Sequence, residues 1–133
     1  MASKTKGSRT ERELVHLFNQ TGQWYAIRVA GSGLTKDPNP DVLAGNGKRH
    51  IAVECKSVKA ESKYFYQEDI DQIVNFSLKF GAEAWIGIRF NNKGWYFLNP
   101  NDLDRTKSLN LVITLENAEK KGLKFEELIK REV

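Results

Sequence analysis

Apolar residues recur at helical spacing near the start of the chain, at Leu14, Val15, Leu17 and Phe18, and predict a helix from Ser8 to about Gln20 closed by Gly22. Ser8 to Glu11 has the form of a capping box, and the first six residues are expected to be disordered ahead of it. Gln23 to Val29 reads as a strand and residues 30–39, rich in Gly and Pro, as a loop. From 41 to 57 the pattern alternates as in a hairpin. Ile70, Ile73, Val74, Ser77 and Phe80 then form one stripe, with Phe76 beside it, so a second helix spans 67–80 and Gly81 ends it. Strands at 84–90 and 95–98 flank an Asn91–Gly94 turn, 109–115 adds another strand, and the end is weakly helical from Glu116. The order of elements gives one α/β domain over 1–133, a central mixed β-sheet flanked by helices.

The hairpin carries chemistry as well as pattern. Asn46-Gly47 is a strong two-residue turn signal, which pairs Gly45 with Lys48, Leu43 with His50 and Asp41 with Ala52. Side chains two apart project together, so Glu54 and Lys56 share a face with Asp41. Asp41 is then diagonal to Glu54, about 7–8 Å away, within reach of one shared ion. The other face collects Val42, Ile51, Val53 and Cys55 and reads as core. Carboxylates are the ligands hard cations such as Mg2+ prefer, and a lysine beside them supplies charge for a developing oxyanion. For Glu-x-Lys alone, the competing reading is a solvated surface pair of little consequence.

At 133 residues with 40% hydrophobic content, one core is the default and no apolar run is long enough to span a membrane. A cytoplasmic protein is expected, since no secretory segment is visible. One cysteine excludes an internal disulfide, and Cys55 with His16 and His50 cannot build a zinc site, so oxygen must hold any metal. Cys55 is expected in the core and both histidines at the surface. The net charge is +4, and the first 63 residues hold eleven Lys and Arg against six acids, which favours a polyanionic partner. Lys6, Arg9 and Lys36 belong to this basic half.

Glu11 lies on the Leu14, Val15, Phe18 face, where a carboxylate is costly unless paired. It either completes an acidic cluster with Asp41 and Glu54 or serves as the third residue of the capping box. Ser32 lies between glycines that let backbone approach a phosphate. Arg12 and Arg28 have the forked geometry that matches phosphate oxygens.

Taken together, Lys6-Gly7, Glu11-Arg12-Glu13-Leu14, Arg28 to Ser32, Pro40-Asp41, Gly45 to Lys48, Glu54-Cys55-Lys56, and the helix with Phe76 and Phe80 resemble the archaeal-type Holliday junction resolvases, also found in some viruses. The wider class is the PD-(D/E)xK nucleases, with a restriction endonuclease-like fold. The resemblance implies a homodimer that binds four-way DNA junctions and nicks two opposed strands in recombination and repair, using Mg2+ with Mn2+ as a substitute. It implies Asp41, Glu54, the Cys55 carbonyl and Glu11 as metal ligands, and Lys56 as the group that orients water. The resemblance further implies that Ser32 contributes to cleavage, that Arg12 and Arg28 handle DNA and that Phe76 and Phe80 lie at the dimer interface; Lys6, Arg9 and Lys36 of the basic half are expected to join the DNA contacts. The loop before Pro40 is longer than in some relatives, and after about Asn99 the likeness is one of general character. Two other readings keep the fold: a restriction-like or repair nuclease acting on duplex DNA, and a non-catalytic DNA-binding protein.

Overall fold

A computed structural model of the chain describes residues 2–29, 39–108 and 110–132, the side chains of 2–7 excepted. Helix α1 spans Ala2–Gln20, followed by strands β1 (Tyr25–Arg28), β2 (Val42–Gly45), β3 (His50–Val58) and β4 (Ser62–Phe65). Helix α2 (Gln67–Phe80) leads to β5 (Glu83–Phe90) and β6 (Gly94–Leu98). After a single turn of 3-10 helix at Pro100–Asp102 come β7 (Asp104–Arg105), β8 (Leu111–Thr114), α3 (Leu115–Lys121) and α4 (Phe125–Lys130).

Five strands form the main sheet in the order β1-β2-β3-β5-β6. Among the described strands of this sheet, only β3 and β5 run parallel, joined by a crossover containing α2, so the sheet is mixed. A small antiparallel sheet, β4-β8-β7, stands apart from it. Alternation along β3 feeds two cores. Ile51, Val53 and Cys55 point with Val42 and Ala44 towards Leu14 and Phe18 of α1. Ala52 points with Ile86 and Ile88 towards Ile70 and Ile73 of α2. Gly87, at the centre of β5, sits in tight packing: a Cβ there would lie 3.0 Å from Val53 and 3.1 Å from Phe97, so that these side chains would have to shift. Leu14 and Phe18 are fully buried, and truncating either to Ala is expected to cost about 3 kcal/mol.

Two expectations from sequence are corrected. The hairpin closes through a longer turn: Gly45 pairs with His50 and Leu43 with Ala52. The reason is Asn46, whose Oδ1 accepts from the backbone N–H of both Lys48 (2.9 Å) and Arg49 (2.7 Å), with Gly47 at φ 93°. The register moves by two residues, which changes partners but preserves faces. Secondly, α1 begins at Ala2, so Ser8 lies within the helix and is not its cap. Four-residue β4 escaped the sequence pattern, and the C-terminal helical stretch is two short helices separated by Gly122.

Candidate active site

The shifted register brings Asp41 level with Glu54. The Asp41 backbone N–H donates to the Val53 carbonyl at 3.0 Å, and the Cys55 N–H donates to Asp41 Oδ2 at 2.8 Å. Asp41 is thus fixed between the two residues that flank Glu54, and only 8% of it is exposed. Its own carbonyl accepts from Val29 N–H at 3.0 Å, which ties it to the end of β1. The anchoring is mostly main chain, so its position follows from the sheet itself.

Glu54 projects beside Ala52 onto the face under α2, next to the buried Ile86 opposite it on β5. Burial strips water from its carboxylate and the charge of Asp41 opposes ionisation, so its pKa is pushed up to about 8. Lys56 works in the other direction, with Nζ 4.0 Å from Glu54 Oε2, but does not compensate. Asp69 in the first turn of α2 and Glu11 add further repulsion. A largely buried acid whose charge is opposed by a neighbouring carboxylate favours a cation beside it. The donors of both acids are oxygens, as a hard divalent ion requires. Among the described residues, however, no three His, Cys, Asp or Glu side chains are already arranged around a common ion position.

Glu11 reaches this neighbourhood from α1, on the opposite side of the sheet from α2. Its Oε1 accepts from Arg28 Nε at 2.7 Å, while Arg28 Nη2 donates to Ser8 Oγ at 2.7 Å. The capping role expected for Ser8 and Glu11 is replaced by this charge-assisted arrangement. Even so, burial raises the Glu11 pKa, with Asp41 adding to the rise and Arg28 opposing it. Cys55 lies in the core, and burial pushes its thiol well above the usual range, which rules it out as a nucleophile. His16 and His50 are exposed, as expected.

The structure therefore gathers Glu11, Arg28, Asp41, Glu54 and Lys56. Arg9 and Arg12 are exposed on α1. Ser32 and Lys36 lie outside the described residues, as does the side chain of Lys6. Phe76 and Phe80 stack at 5.1 Å on α2, and Phe80 remains 57% exposed. Two contributors went unrecognised in the sequence: Ser8 as a partner of Arg28, and Asp69 as a charge felt by Glu54. Neither carries a local signal, since both contacts cross between distant segments.

A family model described as archaeal Holliday junction resolvase (hjc) matches residues 2–133. The chain belongs to that family. It is 40% identical over 104 residues to the crossover junction endodeoxyribonuclease Hjc of Archaeoglobus fulgidus, covering 78% of this chain and 76% of the relative. To the Hjc of Sulfolobus acidocaldarius it is 38% identical over 132 residues, covering 98% and 90% of the two chains. The solved structure of the Archaeoglobus fulgidus Hjc, a Holliday junction resolvase, matches with a TM-score of 0.83 at 33% identity, covering 96% of this chain and 98% of that one. The mixed sheet between helices is accordingly a restriction endonuclease-like fold. Family membership of the PD-(D/E)xK type implies a divalent metal, and the Asp41–Glu54 pair meets that requirement in donor chemistry and charge. No helix among the described residues is long and apolar enough to cross a membrane.

Proposed function

We propose that this chain is a structure-selective endonuclease that resolves four-way DNA junctions by paired symmetric nicks, with Mg2+ as its ion and Mn2+ as a substitute. The observation that carries this reading is the Asp41–Glu54 pair, held by β2 and β3 with Lys56 Nζ 4.0 Å from Glu54. Asp41, Glu54 and the Cys55 carbonyl are the residues to hold the ion, and Glu11 completes the acidic set. When bound, the ion polarises the scissile phosphate and offsets its charge. Lys56 orients the attacking water and shares the charge that builds on the phosphate oxygens. The departing 3′ oxygen leaves a 5′ phosphate. Arg12 and Arg28, with Lys6, Arg9 and Lys36, grip backbone phosphates, and Ser32 assists cleavage. Such a protein acts on DNA in the cytoplasm of an archaeal cell or of an infected host.

Symmetric cuts in opposed strands call for two sites, and the proposed assembly is a homodimer. Its support is an apolar surface beside α2. Tyr25 is 72% exposed and Ile27 51% exposed on edge strand β1. Ile27 pairs with Leu43, which joins the same core as Phe76, so the exposed sheet face continues that of the Phe76–Phe80 stack. Phe76→Glu with Phe80→Glu is expected to convert the dimer to a monomer in sedimentation and to uncouple the two nicks. A parent protein that sediments as a monomer while making paired cuts would contradict this assignment.

The test of the function is nicking of a four-way junction and of a linear duplex of matching sequence, with Mg2+ and with EDTA. Mg2+-dependent paired nicks on the junction alone are expected. Equal cleavage of the duplex favours a restriction-like or repair nuclease, and binding without cleavage favours a DNA-binding protein.

A further inference from the structure

Arg28 and Glu11, a phosphate clamp and an acid of the proposed site, are bonded to one another in the structure. Ser8 and Glu11, three residues apart on α1, present both acceptors to one planar guanidinium, at 2.7 Å each. Arg28 sits opposite Val42 on the edge strand, beside the Val29–Asp41 backbone bond, so this fork borders the acidic pair. The Arg28 side chain is 39% exposed and that of Glu11 only 15%. The open side of the guanidinium thus meets solvent while the acid is held inward. Phosphate and carboxylate compete for the same fork, because both offer two oxygens at matching spacing. The Glu11 oxygen bonded to Arg28, Oε1, also shares its negative charge with the guanidinium and so has less to offer a cation at Asp41 and Glu54.

We infer that Glu11 is the resident counter-ion of Arg28 and is exchanged for a DNA phosphate when the junction is seated. The exchange gives Arg28 to the substrate and returns Glu11 to the acidic site, so DNA binding and completion of that site are one coupled step. Ser8 is a positioning residue that keeps the fork oriented throughout. The inference rests on the proposed action on junction DNA. By linkage, an ion held at the acidic site strengthens DNA binding by the factor with which DNA strengthens ion binding.

The deciding measurement is a double-mutant cycle of junction affinity in EDTA, read by fluorescence anisotropy, over the parent, Glu11→Gln, Arg28→Ala and the double variant. Glu11→Gln is expected to tighten metal-free binding about fivefold when Arg28 is present, as loss of an ion pair worth about 1 kcal/mol requires. In the Arg28→Ala background the same change is expected to have no effect. Equal tightening in both backgrounds overturns the inference, because Glu11 would then act only by general repulsion of DNA. So does no tightening in either. Ser8→Ala is expected to weaken metal-free binding about twofold to fivefold, with recovery in Ser8→Thr. Failure of the parent to bind junctions at all would overturn the functional reading and this inference together, whereas failure of the inference alone leaves parental binding intact.

Discussion

Two acids on the parallel β3–β5 pair have opposite electrostatics: Glu83 at the start of β5, level with Ile51, and Glu54 midway along β3, level with Ile86. At one end Glu83 receives both forks of Arg49, Nε at 2.8 Å and Nη2 at 2.9 Å. Arg49 Nη1 also donates to the carbonyls of Leu128 and Arg131, and its guanidinium lies over the Trp24 ring at 5.3 Å. Burial would raise the Glu83 pKa, but the bonds from Arg49 and Trp85 outweigh it and lower it. Midway along the pair Glu54 faces Asp41, with Lys56 Nζ at 4.0 Å as a looser offset, and its pKa rises to about 8. One acid is satisfied by the chain and clasps the C-terminal helix to the sheet. The other is met, among the described residues, by the looser Lys56 alone and keeps a raised pKa, and charge of this kind marks sites where a substrate or ion completes the structure.

Substitutions should separate the two sites. Asp41→Asn is expected to lower Mg2+-dependent nicking by about 10³-fold, the equivalent of several kcal/mol of lost transition-state stabilisation, while junction binding in EDTA persists. Arg49→Ala should do the reverse. Removing this nearly buried partner is expected to cost about 3 kcal/mol and lower Tm by about 10 °C, with nicking kept at temperatures where the variant is folded.

Acidity sharpens the same contrast. Because the folded pKa of Glu54 is raised, the folded state holds more protons than the unfolded chain between about pH 4.5 and 8. Metal-free stability therefore falls as pH rises through that window. Glu83 has the opposite sign: its contribution is present above its unfolded pKa of 4.5 and is lost as pH falls through its lowered folded value. Thermal melts in EDTA should show Tm declining from pH 5 towards pH 8, a slope flattened in Glu54→Gln. Mg2+ should raise Tm more at pH 8 than at pH 6, since the ion competes with the proton. A flat profile in the parent would contradict the burial assigned to Glu54.

Much of this was legible in the sequence, for reasons particular residues make plain. The α2 boundaries at Gln67 and Phe80 follow from an apolar stripe ended by Gly81, whose αL conformation at φ 85° is a local signal. The common face of Asp41, Glu54 and Lys56 survived an error in turn length, because a slip of two residues preserves strand parity. That same error placed Asp41 one step too far along, diagonal to Glu54, when backbone bonds hold it alongside. It came from the Asn46 side chain, which bonds to two backbone N–H groups and lengthens a turn that Asn-Gly alone would have made tight. The alternation did not show that Ala52 is buried beneath α2, so that Glu54 emerges from the edge of a second core. Arg49 drew no notice as a structural residue, because its partners at 83, 128 and 131 are far away in sequence.

The most direct test of the contrast measures two isosteric changes in parallel, Glu54→Gln and Glu83→Gln, for Mg2+-dependent nicking of a four-way junction and for metal-free Tm. The account predicts that Glu54→Gln abolishes nicking with Tm unchanged or raised, and that Glu83→Gln lowers Tm with nicking retained below its melting transition. Parental nicking in Glu54→Gln, or loss of nicking in a folded Glu83→Gln, would contradict it.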